Sequence, residues 1–523
     1  MNNIQLLDCT LRDGGHLTGG KFGKDVIVHV IEELINSGID IVEIGFLVEK
    51  EYTTDYARFK SIKDVKRILP KDKKNSKISL MADFVDLSNL EENDGTVDII
   101  RLSFKRHRLE WALKTARLLM DKGYNVFINP VNCNVYTDEQ YLEVLHKVNE
   151  LHPYGFSIVD TFGVLRLRDF AHLYYLVNTN LEPDIVMGAH LHENLGLAYS
   201  LAQHFISINE GKRDIVIDGS LLGMGRVPGN LCIEQIMDHM NQFYGGNYHT
   251  EAAFDAIDDC IAPIKSRIPW GYSIPYALSA KYKLHRTYAE YLMEKWKIHT
   301  SDIERILSNV TEEEAELFNE DYIENLYKEY ISVEYDDTRE RKELSHALSQ
   351  KEIVVLAPGS SIKDSQDAIK EYVANNDAIV ISIHFIPDFL QTDYLFYANI
   401  KRFEIGDAKN YPDKCIISSN LTRYEITRDC KYVIDYSKLV DHSGKYSDDS
   451  TLMLLHLLKD IGVKKVAIAG FDGFSNEGSH YYKTEFVHDV NSEKRNTTTD
   501  DILKHFYNDM DIEILTKTNY CFN

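Results

Sequence analysis

The sequence predicts an α/β protein in which a (β/α)8 TIM barrel is followed by a helical region and a smaller, Rossmann-like α/β domain. From residue 4 to about residue 242, short runs rich in β-branched residues alternate with helix-like stretches, as in repeated βα units around a parallel sheet. Eight such units in roughly 240 residues match the arithmetic of a TIM barrel. A further alternating pattern begins near residue 352, which indicates a second sheet.

Each of the eight barrel strands is a short apolar run. The predicted strands are Ile4–Asp8, Ile39–Phe46, Ile78–Phe84, Val97–Phe104, Val126–Val131, Gly155–Asp160, Ile185–Leu191 and Ile215–Gly219. Helices such as Asp25–Asn36 and Leu109–Lys122 lie between them. The turn after the first strand is charged, whereas an open doubly wound sheet usually has a glycine-rich phosphate loop there, so we favour the closed barrel.

At 523 residues the chain is longer than a single core, which usually stops growing at about 250–300 residues, so we expect several domains. We assign residues 1–248 to the barrel, residues 249–343 to a helical appendage and linker, and residues 344–523 to a C-terminal α/β domain. The polar stretch Asn491–Thr499 within that last domain is predicted to be a loop.

The composition argues against several classes of partner. The net charge of −24 disfavours nucleic acid and anionic membranes, and no apolar run approaches the roughly 20 residues that span a bilayer. The first residues lack the basic and apolar segments of a secretory signal, so we expect a cytoplasmic protein. The seven cysteines are odd in number and widely spaced, which predicts reduced thiols. We also expect a homo-oligomer.

Polar residues follow three of the predicted strands at their carboxyl ends, where the catalytic groups of TIM barrels lie. They are Arg12, Asp13 and His16 after the first strand, His190, His192 and Asn194 at the end of the seventh, and the segment Gly223–Asn230 after the eighth. Although these residues are far apart in the sequence, a closed barrel would bring them together at one end.

Two histidines at this end suggest a metal site. His190 and His192 are two residues apart in a strand, so their side chains point to the same face. With Asp13 they would form a two-histidine, one-carboxylate site that leaves positions open for substrate. Each residue alone is more simply solvated or structural, but two buried imidazoles beside a carboxylate need a partner such as a divalent cation. Imidazoles favour Mn²⁺, with Zn²⁺, Co²⁺ or Mg²⁺ as alternatives, and Asn230 could complete the shell.

Three motifs resemble those of the DRE-TIM metallolyases, a superfamily that includes 4-hydroxy-2-oxovalerate aldolase, hydroxymethylglutaryl-CoA lyase, and the isopropylmalate and homocitrate synthases. The matching segments are Asp8–Gly14, His190–Asn194, and Gly223–Gly225 with Gly229–Asn230. Acyl-CoA-dependent synthases usually carry Glu-Gln after the Arg-Asp-Gly, whereas this chain has Gly15-His16, which is similar to the aldolases. The glycine-containing loop Gly223–Asn230 is closer to that of the synthases.

The resemblance implies roles for individual side chains. Arg12 would donate a hydrogen bond to the 2-oxo oxygen of the substrate, and Asn194 would help to bind it. His16 would exchange a proton with the 4-hydroxyl group, and Tyr276, which matches the family's active-site tyrosine, could assist. Glu43 in the second strand either orients these groups or forms a strand-end salt bridge.

These expectations combine into a class II, metal-dependent pyruvate aldolase. It would cleave or form a 4-hydroxy-2-oxo acid from pyruvate, or another 2-oxo acid, and an aldehyde through a metal-stabilised enolate, with surface-polysaccharide or sugar biosynthesis as one hypothesis for its context. One alternative is an acyl-CoA-dependent condensing enzyme or a hydroxymethylglutaryl-CoA-lyase-like enzyme. The other is a metal-free scaffold for the C-terminal domain.

Two loops of the C-terminal domain suggest a second ligand. Leu356–Ser361 follows a predicted strand and precedes a helix, so its backbone amides could hold a phosphate. Ala469–Gly473 follows a later strand, and both loops resemble those of bacterial sialyltransferase-like, nucleotide-binding domains. They motivate the hypothesis that this domain binds a nucleotide or nucleotide-sugar, with plain turns as the alternative.

Overall fold

A computed structural model describes residues 4–132, 136–226, 228–295, 297–440, 448–474 and 492–520. The chain forms two compact units, Met1–Arg286 and Thr287–Asn523. The first unit ends after the helices that follow the barrel, and the second unit begins with further helices. The division of the chain into barrel, helical appendage and C-terminal domain at residues 248 and 343 stays a prediction.

The first unit contains the predicted barrel, which is confirmed. Its parallel strands are β1 (Ile4–Asp8), β2 (Ile41–Leu47), β3 (Lys77–Asp83), β4 (Ile99–Phe104), β5 (Asn125–Pro130), β6 (Gly155–Val159), β7 (Val186–His190) and β8 (Ile215–Gly219). Neighbours in sequence are neighbours in the sheet, and β1 pairs with both β8 and β2, which closes the cylinder. A two-residue strand, Arg58–Phe59, adds to the outer end of β2.

Helices surround the barrel because each carries one apolar face. The longer ones are Lys24–Asn36, Leu109–Asp121, Asp138–Leu151, Leu167–Asn180, Ala198–Asn209 and Ile233–Phe243. In the first of them, Ile27, Val30, Ile31 and Leu34 recur at helical spacing and are fully buried in the barrel core. Short helices at Thr10–Asp13, Gly15–Thr18 and Ile62–Val65 follow the first two strands, and Thr250–Ala256, Ile257–Ile261, Ala262–Arg267 and Ile274–Lys281 end the unit.

Strand β2 contains an irregularity next to a residue of the site. Its pairing with β3 shifts register between Glu43 and Phe46. Gly45 lies there with φ of +149°, and a Cβ atom on it would be 2.1 Å from the carbonyl oxygen of Ala57. This close approach lets Phe46 donate its backbone N–H to the Ala57 carbonyl at 3.1 Å, which attaches the segment before Arg58–Phe59 to the barrel.

The second unit is a doubly wound α/β sheet preceded by helices. Its parallel strands are β9 (Glu352–Leu356), β10 (Ile379–Ile383), β11 (Tyr394–Tyr397), β12 (Cys415–Ser418), β13 (Tyr432–Ile434), β14 (Lys465–Ala469) and β15 (Asp511–Ile514). Their order is β13-β12-β11-β10-β9-β14-β15, so the direction of winding reverses between β9 and β14. The helices are Thr287–Glu294, Thr300–Leu307, Glu312–Ala315, Glu320–Ile331, Thr338–Leu348, Gln366–Asn376, Ile400–Ile405, Ser450–Asp460 and Ser492–Leu503.

The last of these helices corrects an expectation. The polar stretch Asn491–Thr499 was predicted to be a loop, but Ser492–Leu503 is helical, and Asn491 lies outside the described residues. Asn496 donates to the backbone carbonyl of Phe474 at 2.7 Å and accepts from its N–H at 2.9 Å, while Ile502 and Leu503 are buried. Tertiary contacts therefore outweigh the weak helix propensity of the segment.

Two smaller expectations concern thiols and membrane spans. Cys9, Cys232, Cys260, Cys415 and Cys430 form no disulfide, and the other two cysteines lie outside the described residues. Across the described ranges, no helix combines the length and the apolarity needed to traverse a bilayer.

The contact at Gly45 predicts a measurable cost for a side chain. Gly45→Ala should lower the free energy of unfolding by about 1–3 kcal/mol more than Gly211→Ala, because the new methyl group would collide with backbone. Gly211 is the matched control, since it also has positive φ, +68°, but nothing lies within 4 Å of its Cβ position. Urea denaturation of both variants measures the difference. Equal losses would show that the close approach does not constrain β2.

Candidate metal centre

The loop after β1 is shaped by a buried carboxylate. Asp8 accepts hydrogen bonds from the backbone N–H and the hydroxyl of Thr10, both at 2.8 Å. The same hydroxyl accepts from the N–H of Leu221 at 2.8 Å, which joins the loop after β1 to the loop after β8. These bonds hold the single helical turn that carries Arg12 and Asp13 at the carboxyl end of the barrel, where both are buried.

The two predicted histidines lie at the end of β7, and each is oriented by one ring nitrogen. His190 is the last residue of the strand, and its Nδ1 donates to Asp218 Oδ2 at 3.0 Å. His192 Nδ1 donates to the backbone carbonyl of Asp160 at 2.8 Å. A neutral imidazole that donates through Nδ1 keeps its lone pair on Nε2, which is the arrangement that metal-binding histidines usually show.

Asp13, His190 and His192 come together as a three-residue cluster. One potential ligand atom from each lies within 4.8 Å of the others, and all three residues are buried. His192 Nε2 is 4.0 Å from Asp13 Oδ2 and has no hydrogen-bond partner among the described residues. A buried imidazole nitrogen without a partner is costly, and a cation at this point would satisfy it. The donor set therefore fits a divalent metal ion.

A chain of buried ion pairs connects the two sides of this cluster. Arg12 pairs with Asp13, and its Nε donates to Glu43 Oε2 at 2.7 Å. Arg101 on β4 lies 3.5 Å from the same Glu43 oxygen through Nη1 and donates to Asp218 through Nη2. Asp218 accepts a hydrogen bond from His190, so this chain of ion pairs connects two candidate metal ligands, Asp13 and His190.

Charges within this network set the protonation of the candidate ligands. Burial alone would raise the pKa of Asp13, but Arg12 and the nearby histidines hold it well below its ordinary value. Burial, reinforced by His190, lowers the pKa of His192 to about 3. Near neutral pH the cluster thus presents an ionised carboxylate and a neutral imidazole, the forms that bind a metal.

The loop after β8 packs directly on Asp13. Asn230 Nδ2 donates to Asp13 Oδ2 at 2.7 Å, and the backbone N–H of Arg226 donates to the same oxygen at 3.0 Å. A Cβ atom on Gly225 would lie 2.3 Å from that oxygen and 2.2 Å from Asn230 Nδ2, so a side chain there would displace both groups. Asn230 Oδ1 is buried without a hydrogen-bond partner among the described residues. Asn230 thus positions the carboxylate, and its role as a metal ligand stays a prediction.

His16 lies beside the cluster but is more open to solvent. Its Nε2 is 3.8 Å from Asp13 Oδ1, and its side chain is 45% exposed. The ring meets that of Phe46 edge-on, with the centroids 5.8 Å apart. Desolvation lowers the pKa of His16, and Arg12 and Arg226 lower it further, whereas Asp13 acts in the opposite direction. At neutral pH the ring is therefore mostly neutral and able to accept a proton.

The remaining predicted residues are placed less directly. Asn194 is buried in the loop after β7, and a Cβ atom on Gly163, in the loop after β6, would meet its side chain at 2.2 Å. Tyr276 is half-buried near the start of helix Ile274–Lys281. Substrate contact by Asn194 and assistance by Tyr276 stay predictions.

Two residues of the network were missed by sequence reasoning. Arg101 and Asp218 lie inside the otherwise apolar strands Ile99–Phe104 and Ile215–Gly219. A charged residue in the middle of a buried strand needs a partner of opposite charge, and that was the available signal. The alternatives for Glu43 turn out to be one arrangement, since its salt bridges with Arg12 and Arg101 also orient the site.

A family model and several curated proteins match part of this chain. Residues 102–260, which include His190, His192 and Asn230, match the HMGL-like family model. A 2-isopropylmalate synthase from Methylacidiphilum infernorum is 28% identical over 250 residues, or 45% of this chain and 48% of the relative. A homocitrate synthase from Methanosarcina acetivorans is 23% identical over 286 residues, or 51% of this chain and 66% of the relative.

The coverage of these matches is partial. The chain spans about half the length of the first curated relatives that it matches. Among solved structures, the N-terminal domain of a candidate aldolase from Bacteroides vulgatus gives a TM-score of 0.48 at 24% identity, and the match covers 55% of this chain and 96% of that domain. The two curated relatives are named as synthases, and the family match is confined to residues 102–260, so these matches do not single out an aldolase branch.

The orienting role of Asp218 can be tested by metal binding. Asp218→Asn should weaken Mn²⁺ binding roughly 10–100-fold, because an amide neither fixes the His190 tautomer nor offsets Arg101. Isothermal titration calorimetry measures the affinity, and thermal unfolding checks that the variant is folded. Asp238→Asn, at an exposed position of helix Ile233–Phe243, is the control. Equal affinity in the two variants would mean that the ion-pair chain does not support the metal ligands.

Proposed function

We propose that the barrel unit is a divalent-metal-dependent enzyme that forms or cleaves a carbon–carbon bond next to the carbonyl group of a 2-oxo acid, with pyruvate as the first candidate. The observation that carries the proposal is the cluster of Asp13, His190 and His192, with Arg12 and His16 beside it. Mn²⁺ is the proposed metal because two imidazoles and one carboxylate make a mixed nitrogen and oxygen site.

The charge of the network supports a substrate with one carboxylate. Asp13, Glu43 and Asp218 oppose Arg12 and Arg101, which leaves one negative charge in excess among these five buried residues. A divalent cation would reverse that excess to a single positive charge, and one substrate carboxylate would neutralise it. Neutral buried clusters cost the least desolvation, so a monocarboxylate such as pyruvate fits better than an uncharged ligand.

Arg12 and the metal site would act on the same part of the substrate. When bound, the metal would supply Lewis-acid stabilisation of the negative charge that develops on the 2-oxo oxygen. Arg12 provides a fixed positive charge at the same place, since Glu43 and Asp13 raise the pKa of its buried guanidinium above the ordinary value. Its ion pairs with these carboxylates hold it in position.

His16 is the proposed general base for aldol cleavage. It would take the proton of the 4-hydroxyl group as the bond between C3 and C4 breaks, so that the aldehyde leaves and the bonding electron pair stays on the 2-oxo acid fragment as its enolate. Protonation of that fragment at C3 then gives pyruvate. In the reverse direction His16 would return its proton to the aldehyde oxygen.

An acyl-CoA-dependent condensation is the second candidate. It is favoured by the names of the curated relatives, which are synthases, whereas the aldol reaction is favoured by His16 at the cluster. Both reactions share the metal site and differ in the acceptor. The ion pairs between Arg12, Glu43, Arg101 and Asp218 speak against the scaffold alternative, because buried charges without a function would be an unnecessary cost.

The proposal predicts exchange and cleavage by the Mn²⁺-loaded protein. Incubated with pyruvate in heavy water, it should replace the methyl protons with deuterium, as nuclear magnetic resonance would show. His16→Gln should slow the cleavage of 4-hydroxy-2-oxo acids by about 10²–10⁴-fold while metal binding persists. His146→Gln, at an exposed helix position, is the matched control. Because the base must be neutral, the rate should fall as pH decreases below the lowered pKa of His16.

Two outcomes separate the candidates. If the protein releases free thiol from acetyl-CoA in the presence of a 2-oxo acid and does not turn over aldehydes, the condensation is the function and the aldol reaction is not. A folded preparation that shows neither metal binding nor pyruvate exchange would contradict the enzymatic proposal as a whole.

A further inference from the structure

A pocket separate from the metal centre lies at the carboxyl end of the barrel strands. Its walls include Val164, Leu165 and Arg166 after β6, Leu195 after β7, and Lys283 after helix Ile274–Lys281, all within the first unit. The volume of this pocket is about 440 Å³. Sites for small molecules usually measure roughly 300–1,000 Å³, so the pocket is large enough for a metabolite.

One wall of this pocket is held by the buried carboxylate of Asp160. The carboxylate accepts hydrogen bonds from the backbone N–H groups of Val164 at 2.9 Å and Leu165 at 3.2 Å. The backbone carbonyl of Asp160 accepts from His192 Nδ1 at 2.8 Å. The loop after β6 therefore supports both the pocket wall and a candidate metal ligand, and a site built on such a fixed loop is well positioned.

Three exposed cations border the pocket. They are Arg166, Arg168 and Lys283. In the part of the chain that the structure describes, none of the three forms an ion pair with a carboxylate. Their charges are therefore open to compensation by an anion from solution.

The carboxylates of the lining are fewer than the cations and have other partners. Asp138 Oδ1 pairs with His172 Nε2 at 2.9 Å. Asp169 accepts from the backbone N–H of Arg166 at 3.2 Å and so caps the helix that follows. With Lys281 included, the lining has four cations against two carboxylates. This excess of positive charge occurs in a chain whose net charge is −24.

Two of the cations lie where a helix tolerates positive charge poorly. Arg166 is the N-cap of helix Leu167–Asn180, and Arg168 is in its first turn. The N-terminus of a helix carries a partial positive charge, so a cation there is repelled. An anion bound next to Arg166 and Arg168 would offset that repulsion.

We propose that this pocket binds the phosphate group of a small ligand through Arg166, Arg168 and Lys283. The guanidinium groups match phosphate oxygens in charge and geometry, and the ammonium group adds a third cation. A phosphate monoester carries a charge of about −1.5 to −2 at neutral pH, which balances the excess of the lining, whereas a single carboxylate would balance only part of it. Leu165 and Leu195 offer apolar contacts to the rest of the ligand.

Isothermal titration calorimetry on the full chain tests this proposal. The probes are inorganic phosphate, glycerol 3-phosphate, glycerol and acetate, added to protein freed of metal with a chelator and then dialysed. Glycerol 3-phosphate should bind with a Kd below about 1 mM at low ionic strength, and more weakly as salt screens the exposed cations. Glycerol should give no heat. Acetate binding as tight as that of glycerol 3-phosphate would overturn the assignment to phosphate.

Variants of the pocket complete the test. Arg168→Gln and Lys283→Gln should each weaken the binding of glycerol 3-phosphate about threefold or more, and the double variant should weaken it further. Lys114→Gln is the matched control, since it removes one exposed positive charge of the barrel outside the pocket. Asp13→Asn should bind like the wild type, which would place the site outside the metal centre. Absence of heat with both phosphates, or equal affinity in the double variant and the control, would overturn the proposal.

Kinetics of the Mn²⁺-loaded protein identify the source of the phosphate. If the phosphate belongs to the aldehyde acceptor of the proposed reaction, Arg168→Gln should raise the KM for glyceraldehyde 3-phosphate and leave the KM for glyceraldehyde unchanged. If it belongs to a separate molecule, both KM values should stay unchanged. This comparison rests on the proposed function, whereas the calorimetry does not, so the failure of one is distinguishable from the failure of the other.

Discussion

The barrel site depends on a buried chain of ion pairs that runs from Asp13 through Arg12, Glu43 and Arg101 to Asp218 and then to His190. Burying any one of these charges alone would cost several kcal/mol, so each is tolerable only because its neighbours are present. The chain of ion pairs also fixes the positions of two candidate metal ligands. It holds the carboxylate of Asp13 on one side of the cluster and the ring of His190 on the other, and a catalytic metal requires that its ligands be held before it binds.

The barrel could be predicted from the sequence because both the alternation of apolar runs with helix-like stretches and the position of each run are visible there. Each barrel strand lies within about two residues of its prediction, since apolar runs between helix-like stretches have few other solutions. The rule that catalytic groups follow barrel strands was enough to select Asp13, His190 and His192, which the structure brings together. In such a fold, a few residues at strand ends are the main candidates for the chemistry.

Other features could not be read from the sequence, for physical reasons. The partners of Arg101 and Asp218 depend on which strands face each other inside the cylinder, and a single sequence does not encode that pairing locally. In the second unit, β11, β12 and β15 have four residues each, and runs this short carry too little periodicity to stand out in a sequence. The helix Ser492–Leu503 is polar and is held by contacts such as those between Asn496 and Phe474, so its local pattern resembles a loop.

Both units bring loops together by the same rule of parallel sheets. Loops at the carboxyl ends of strands converge, and backbone approaches such as Gly225 on Asp13 and Gly359 on Gly470 bring them close to each other. In the barrel, the buried network of Asp13, Glu43 and Asp218 against Arg12 and Arg101 has one negative charge in excess, which suits a metal ion. The family match at residues 102–260 concerns the barrel alone.

Pulsed electron paramagnetic resonance of the Mn²⁺-loaded protein can show whether Asp13, His190 and His192 bind one metal ion. We expect modulation from two imidazole nitrogens in the wild-type chain and from one in His190→Gln. Tightly bound Mn²⁺ without any nitrogen coupling would contradict it, because the metal would then lie away from both histidines.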